Sequence, residues 1–186
     1  MSGIHGGRTL QVIEDLVPQE MHADAWKACL RKRWYFGQTS MDGGMRFWKM
    51  DLEKDPAFDR IWESARARCE ELAGMPLRVV RQYANGQTYG LGGASHQDDD
   101  RPGCYTLLYY PMEHWEEAWE GETVFYDQHG GIKLAVVPQP NKAVFFDSRI
   151  HHVGRAPSRD CAELRVTVAY KLEAAVWDDL RSQLPR

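Results

Sequence analysis

The sequence lacks the closely spaced cysteines that a structural zinc site or a disulfide framework would use. Its four cysteines lie far apart, and no two of them form a CxxC pair: Cys29, Cys69, Cys104 and Cys161. This spacing predicts reduced thiols that are mostly buried, as in proteins of a reducing compartment.

Long hydrophobic runs and a strong net charge are also missing. No apolar stretch approaches the roughly 20 residues of a membrane-spanning helix, and the first residues lack the apolar segment of a secretory signal. The formal net charge is only −4, which gives no general electrostatic reason to expect nucleic acid or an anionic membrane as a partner. We therefore expect a cytoplasmic protein that binds neither, and the composition carries no prediction of oligomeric state.

No internal repeat, low-complexity segment or linker divides the chain. Its 186 residues, 43% of them hydrophobic and 27% charged, are typical of one globular domain with a core of its own. We predict a single domain over residues 1–186, with helical support in residues 1–75, a β core in residues 76–172 and a C-terminal helix in residues 173–186.

The spacing of apolar residues predicts two helices followed by a series of short strands. A first strand is predicted at residues 9–17 and a first helix from Pro18 to Arg33, and the second helix begins after the capping residue Asp55 and stops at Gly74. Runs rich in Val, Tyr, Phe and Thr predict six further strands at residues 77–84, 104–110, 123–126, 132–137, 143–147 and 164–171. The pattern indicates an antiparallel sandwich or small barrel, with the helices covering one face of a sheet.

One triplet has the spacing of metal ligands. His96-Gln97-Asp98 places an imidazole and a carboxylate two residues apart, and such side chains point to the same side of an extended strand. Two histidines and one carboxylate on one face of an octahedron are the ligand set of mononuclear non-haem iron. The sequence therefore predicts an iron site that is completed by His151 or His152.

The last predicted strand places an arginine on the inner face of the fold. Arg165 and Thr167 alternate with the apolar set Leu164, Val166 and Val168. If the apolar set packs against the helices, Arg165 points inward, where a guanidinium needs a partner. Because no acidic run supplies one, we expect a dicarboxylate ligand, held bidentately by Arg165 with a hydroxyl from Thr167.

Residues 77–172 resemble the 2-oxoglutarate/Fe(II)-dependent dioxygenases, and in particular the prolyl 4-hydroxylase-like group. That group carries HxD, a later His, and an Arg followed two residues on by Ser or Thr, matched here by His96-Gln97-Asp98, His152 and Arg165-Val166-Thr167. It also shows Tyr-x-x-Gly-x-x-Tyr before HxD, matched by residues 83–89, and residues 106–115 with Gly121-Glu122-Thr123 are similar to a segment of hypoxia-factor prolyl hydroxylases. The chain departs from the group in an inserted Gly90-Leu91-Gly92-Gly93 and in Glu120, where a glycine is common.

The resemblance implies a mainly β protein with a double-stranded β-helix (jelly-roll) core and N-terminal helices packed on one sheet. It implies Fe(II), 2-oxoglutarate and O2 as cofactor and cosubstrates, with His96, Asp98 and His152 as iron ligands. Arg165 would bind the far carboxylate of 2-oxoglutarate. The other residues implied around the cosubstrate are Thr167, Tyr110, Tyr83, Thr106 and Leu108, and the candidate substrate contacts are Tyr89, Trp115 and Arg155.

Two of these assignments have a rival in the sequence. The spacing from Phe146 in relatives selects His152 as the third ligand, whereas a Leu-His-x-Val pattern selects His151; only one can bind, because strand neighbours face opposite ways. Arg155 competes with Arg165, but its Gly-Arg-Ala-Pro surroundings favour a loop that faces solvent or substrate.

The carboxylate of Asp98 favours hydroxylation, since related halogenases have Gly or Ala at that position. We predict hydroxylation of an unactivated C–H bond of a small molecule (an amino acid or specialised metabolite) or of a protein residue such as proline, with release of succinate and CO2. The alternatives are a cupin-type iron dioxygenase that does not use 2-oxoglutarate and a noncatalytic jelly-roll binding module. The acidic residues between Glu113 and Glu122 are either a solvated loop or a reason to expect a cationic substrate.

Overall fold

The computed structural model describes residues 3–5, 7–31, 33–39, 44 and 46–175, which form two α-helices and eleven strands. The helices are α1 (Gln19–Cys29) and α2 (Pro56–Ala73). The strands are β1 (Gly3–His5), β2 (Arg8–Ile13), β3 (Tyr35–Gln38), β4 (Phe47–Asp51), β5 (Leu77–Gln87), β6 (Cys104–Tyr109), β7 (Thr123–Tyr126), β8 (Ile132–Val136), β9 (Ala143–Asp147), β10 (His152–Gly154) and β11 (Arg165–Ala174).

The strands form two antiparallel sheets that enclose one core. Eight strands make the large sheet in the order β1-β2-β9-β6-β11-β5-β4-β3, and β10-β7-β8 make the small one. Phe125 of the small sheet packs edge-on against Phe146 of the large sheet, with ring centroids 4.9 Å apart. This architecture confirms the predicted fold class, mainly β with a jelly-roll core and helices on one sheet.

Helix α2 forms where its capping residues predict it. The Asp55 carboxylate accepts a hydrogen bond from the Ala57 amide at 3.0 Å, and Gly74 ends the helix with a left-handed φ of 70°. Its buried side covers the outer face of β11, where the Tyr170 hydroxyl donates to the Phe58 carbonyl at 3.0 Å. The helix thereby leaves the opposite face of β11 for the interior between the sheets.

Helix α1 is shorter than predicted and is tied to the sheet by one histidine. It ends at Cys29 rather than Arg33. His22 is buried and lies between the Tyr109 hydroxyl, 2.6 Å from Nδ1, and the Met112 carbonyl, 3.1 Å from Nε2. Since a carbonyl only accepts, Nε2 donates to Met112 and Nδ1 accepts from Tyr109.

The first predicted strand, at residues 9–17, is observed as Arg8–Ile13, and two of the three predicted segments of the domain also require correction. Residues 1–75 are not only helical support, because β1 and β2 extend the large sheet beside β9, while β3 and β4 extend it beside β5. The predicted C-terminal helix at 173–186 is wrong at its start, since Glu173 and Ala174 continue β11 by pairing with β5. The rest of that helix, from residue 176 on, lies outside the described residues.

The cysteines behave as the sequence predicts. All four are free and buried, and burial raises the pKa of the Cys104 thiol to about 11 and that of Cys69 to about 12. None of the helices in the described part of the chain has the length and apolar character that crossing a membrane requires.

Candidate active site

A cavity of about 360 Å³ opens between the two sheets. Its walls come from both of them: β5 and β11 of the large sheet, and Thr123 and His152 of the small sheet. The volume lies within the range of small-molecule sites. The cavity therefore has room for a small ligand beside the predicted metal ligands.

Three candidate ligand side chains meet on this wall. Potential ligand atoms of His96, Asp98 and His152 all lie within 4.8 Å of one another. The two histidines are joined by reciprocal backbone hydrogen bonds, at 3.0 Å from the His96 amide and 2.9 Å from the His152 amide. The Asp98 amide donates to the Ser148 carbonyl at 2.9 Å. Backbone pairing thus brings HxD to a histidine more than 50 residues later.

Hydrogen bonds at the far side of each imidazole set its tautomer. Nδ1 of His96 lies 2.8 Å from the Ala94 carbonyl, and Nδ1 of His152 lies 3.0 Å from the Ile150 carbonyl. Each Nδ1 must carry the proton, because a carbonyl cannot donate. Both Nε2 atoms then present lone pairs beside Asp98, at 3.4 Å from Oδ1 for His96 and 3.7 Å from Oδ2 for His152. This donor set fits a divalent metal such as Fe(II).

The electrostatics favour the metal-binding forms of His152 and Asp98. Burial lowers the pKa of His152 to about 4, although the Asp98 charge opposes the shift, so the imidazole is neutral near pH 7. Burial alone would raise the pKa of Asp98, but the charge of Lys171 together with the contacts of His152 and His96 outweighs it and holds that pKa well below the usual value. Burial lowers the pKa of His96, but its hydrogen bonds with Asp98 and the Ala94 carbonyl outweigh that effect and raise it. Neutral imidazoles and an ionised carboxylate are the forms that bind metal.

The structure separates the two rival histidines. His152 is buried and belongs to the cluster, whereas His151 is exposed and lines a different surface depression with Arg8 and Tyr126. Adjacent residues at the start of β10 face opposite sides, as the alternation of a strand requires.

Arg165 is fully buried at one end of the cavity and has only neutral partners. Its Nε donates to the Gly121 carbonyl, Nη1 to Gln87 Oε1 at 2.6 Å and Nη2 to Thr123 Oγ1 at 2.9 Å. No carboxylate of the described residues forms an ion pair with it, and burial lowers its pKa. Three of its five N–H groups are used, so two remain for an anion in the cavity.

Thr123 adds a hydroxyl donor beside this guanidinium. Its oxygen accepts from Tyr110 at 2.7 Å as well as from Arg165, which occupies both lone pairs and leaves its own proton to donate. Asn85 lines the same cavity, and its buried Oδ1 has no hydrogen-bond partner within the described part of the chain. The spare donors of Arg165 and Thr123 fit a ligand carboxylate, whereas the Asn85 oxygen is an acceptor and needs a donor.

The other predicted cosubstrate residues occupy two kinds of position. Thr167, Tyr83 and Leu108 line the cavity. Tyr110 and Thr106 lie behind it: Tyr110 holds Thr123, and the Thr106 hydroxyl donates to Asp98 Oδ2 at 2.6 Å. Tyr110 and Thr106 therefore support cavity residues rather than face the ligand.

The three predicted substrate contacts are not on the cavity wall. Tyr89 and Arg155 are exposed outside it. Trp115 is buried behind Gly121, and its indole donates to the Glu120 carbonyl at 3.0 Å. The acidic residues between Glu113 and Glu122 also lie off the cavity wall, and the hypothesis of a cationic substrate stays a prediction.

Sequence reasoning missed Lys171, Gln87 and Thr123. Lys171 forms an ion pair with Asp98 Oδ2, and its ammonium lies 3.4 Å from Thr106 Oγ1. A signal for it was present, because the face that carries Arg165 and Thr167 continues in steps of two to Lys171. Gln87 and Thr123 carry no such signal, since their contacts depend on how β5 and β7 pack around Arg165.

Comparison with known families gives one match over half of the chain. The family described as the 2OG-Fe(II) oxygenase superfamily matches residues 80–174, which include all three members of the cluster and Arg165. No curated protein sequence matches the chain.

Solved structures with the same fold share little sequence with the chain. A prolyl-4-hydroxylase of Pseudomonas putida is 13% identical, covering 91% of this chain and 94% of that one, with a TM-score of 0.67. A prolyl hydroxylase of Trichoplax adhaerens, in complex with a hypoxia-inducible-factor peptide fragment, is 14% identical over 95% and 87%, with a TM-score of 0.64. HygX of Streptomyces hygroscopicus, with nickel, 2-oxoglutarate and hygromycin B bound, is 12% identical over 89% and 83%, with a TM-score of 0.68.

Proposed function

The chain belongs to the 2OG-Fe(II) oxygenase superfamily, and from that membership we propose that it hydroxylates an unactivated C–H bond of a small molecule or of a protein residue such as proline. It is an oxygenase that uses Fe(II), 2-oxoglutarate and O2. One observation carries the proposal: His96, Asp98 and His152 converge on the same cavity as a buried Arg165 without a carboxylate partner.

The three converging residues would hold the iron. His96 and His152 offer Nε2, and Asp98 offers Oδ1, because Oδ2 is already engaged by Thr106 and Lys171. Two imidazoles and one carboxylate leave positions for the cosubstrate and oxygen. Iron, when bound, would let O2 act as the oxidant: one oxygen atom would go to succinate as 2-oxoglutarate loses CO2, and the other would enter the C–H bond of the substrate.

The other end of the cavity would hold the far carboxylate of 2-oxoglutarate. The two remaining N–H groups of Arg165 and the Thr123 hydroxyl are three donors in one buried place. A guanidinium pairs bidentately with a carboxylate, and burial strengthens that pairing because water does not compete. The chain thereby orients the cosubstrate with its keto-acid end toward the metal ligands.

Family membership favours this reaction over both alternatives. A dioxygenase that does not use 2-oxoglutarate has no need for a buried cation such as Arg165, and a noncatalytic module has no need for a complete ligand set. The cavity of about 360 Å³ accommodates a small molecule. HygX has hygromycin B bound and the Trichoplax enzyme a peptide fragment, so this fold accepts both kinds of ligand.

The proposal is tested by measuring oxygen-dependent formation of succinate from 2-oxoglutarate by the Fe(II)-loaded protein. We expect Asp98→Ala and His152→Ala to abolish succinate formation, and a substrate to gain one oxygen atom from O2 in the wild type. The matched control is His151→Ala, which removes the neighbouring imidazole outside the cluster. The ligand assignment would be contradicted if His152→Ala still formed succinate while His151→Ala did not. The proposed function would be contradicted if the wild-type protein formed no succinate.

A further inference from the structure

Strands β5 and β11 together form a wall of four opposed residue pairs along the cavity. The pairs are Gln87–Arg165, Asn85–Thr167, Tyr83–Ala169 and Arg81–Lys171, and all eight residues line the cavity. Since a strand rises about 3.3 Å per residue, Arg81 and Gln87 are separated by roughly 20 Å along β5. The wall therefore has Arg165 at one end and a second cationic pair, Arg81 with Lys171, at the other.

Three cations surround one aromatic ring at this second end. The Tyr83 ring centroid lies 4.6 Å from the guanidinium carbon of Arg81, 5.4 Å from Nζ of Lys49 and 5.9 Å from Nζ of Lys171. Contact with the ring stabilises each cation, but like charges directly opposite one another on neighbouring strands are destabilising. Lys49 and Lys171 are each ion-paired with an aspartate, so an anion bound here would chiefly offset the charge of Arg81.

Arg81 is the member of the group without a carboxylate of its own. The paired cations around it are Lys49 with Asp51 at 2.7 Å, Lys171 with Asp98, Arg101 with Asp99 at 2.8 Å, and Arg78 with Glu173. No carboxylate lies within ion-pair distance of Arg81 among residues 3–5, 7–31, 33–39, 44 and 46–175. The cavity is thus lined by two guanidinium groups without an acidic partner, the buried Arg165 and the exposed Arg81.

Resting on the proposed function, we propose that the substrate is a small carboxylic acid and that Arg81 binds its carboxylate. Arg81 offers a planar pair of donors, and Lys171 directly across the strand pair adds a second positive charge. Because Lys171 also contacts Asp98, the anion site adjoins the metal ligands.

The test uses the protein loaded with Zn(II) and 2-oxoglutarate, which cannot turn over. Binding of L-proline, L-leucine, benzoate and phenylacetate is compared with that of their primary carboxamides by saturation-transfer NMR. The variants are Arg81→Gln and Arg81→Glu, and the matched control is Arg159→Gln, which removes an exposed arginine outside the cavity. The affinity for 2-oxoglutarate is measured for every variant.

We expect at least one acid to bind where its amide does not, and Arg81→Gln to weaken that binding about tenfold or more. Arg81→Glu should abolish binding of the acid, and Arg159→Gln should bind it like the wild type. The affinity for 2-oxoglutarate should be the same in all of these proteins. The inference is overturned if amides bind as well as acids, if Arg81→Gln binds the acids like the wild type, or if no acid binds while 2-oxoglutarate does. Failure of 2-oxoglutarate itself to bind would instead overturn the proposed function.

Discussion

The candidate metal-ligand atoms are oriented by their hydrogen-bond partners. Backbone carbonyls fix the protons of His96 and His152 on Nδ1, and Thr106 and Lys171 engage one oxygen of Asp98. Such partners orient metal ligands and tune their basicity. The hydroxyl of Thr106 is therefore expected to affect metal binding although it lies behind the cavity wall.

Thr106→Val is predicted to weaken Fe(II) binding about tenfold or more, because Asp98 Oδ2 loses a hydrogen bond of 2.6 Å. The measurement is an anaerobic titration against a chelator of known affinity. Thr88→Val, at an exposed position outside the cavity, is the control and should bind iron like the wild type. Equal affinity in Thr106→Val and the wild type would show that the hydroxyl does not position Asp98.

Local spacing made part of this site predictable. His96 and Asp98 are two residues apart, so the sequence alone places them on one side of the chain. Lys171 was missed although it continues the face of Arg165, because an ion pair with Asp98 requires knowing which strand and loop lie beside β11. Tyr89, Trp115 and Arg155, predicted as substrate contacts, lie off the cavity wall, because position in the sequence near a motif does not fix the direction of a loop.

The turn before β7 holds Arg165 by close backbone approach. Gly121 has a φ of 79°, and a Cβ there would lie 3.1 Å from Cδ of Arg165 and 3.2 Å from Trp115. Its carbonyl also accepts the Nε–H of Arg165. The glycine is needed for the left-handed backbone and for the space beside the guanidinium.

Gly121→Ala is predicted to weaken 2-oxoglutarate binding about tenfold, because the methyl group displaces Arg165. Gly130→Ala separates this effect from backbone strain: Gly130 has a φ of 82°, but nothing lies within 4 Å of the added Cβ. Each variant should lose about 1 kcal/mol of unfolding free energy from the left-handed backbone, measured by urea denaturation. Equal 2-oxoglutarate affinity in the two variants would contradict the role given to Gly121.

Helix α1 depends on a neutral histidine for its attachment to the sheet. His22 accepts from the Tyr109 hydroxyl and donates to the Met112 carbonyl. Burial lowers the pKa of His22, only partly opposed by the Met112 carbonyl. Protonation would remove the acceptor that Tyr109 uses.

This shift predicts that the metal-free protein loses unfolding free energy as the pH falls below about 6.5. The unfolded state then takes up a proton at His22 that the folded state does not, so stability is complete above the ordinary histidine pKa and decreases toward the lowered one. Urea denaturation at pH 7.5 and 5.5 should show a larger acid loss in the wild type than in His22→Gln, which cannot titrate. An equal loss in both proteins would show that His22 does not contribute.

Pairing between distant strands brings both cationic ends of the β5–β11 wall and the candidate ligand cluster to a single cavity. The bounds of β7 and β9 could be predicted, because Gly, Pro and Asp flank short runs of Val, Phe and Thr. The places of β2 and β4 in the large sheet could not, since β2 pairs with β9 and β4 with β5 through contacts remote in sequence; β1 and β3 join the sheet through hairpins with β2 and β4. The same holds for the register that sets Arg81 opposite Lys171, about 90 residues later.

The central claim is that Arg165 and the three converging ligands form one site for iron and 2-oxoglutarate. The most direct test adds 2-oxoglutarate to the anaerobic Fe(II)-loaded protein and follows the visible charge-transfer band of a keto acid chelated to iron. We predict a band in the wild type, none in Asp98→Ala, and a band in Arg165→Gln that requires at least tenfold more 2-oxoglutarate. A band that persists in Asp98→Ala, or one that Arg165→Gln forms at wild-type concentrations of 2-oxoglutarate, would contradict the account.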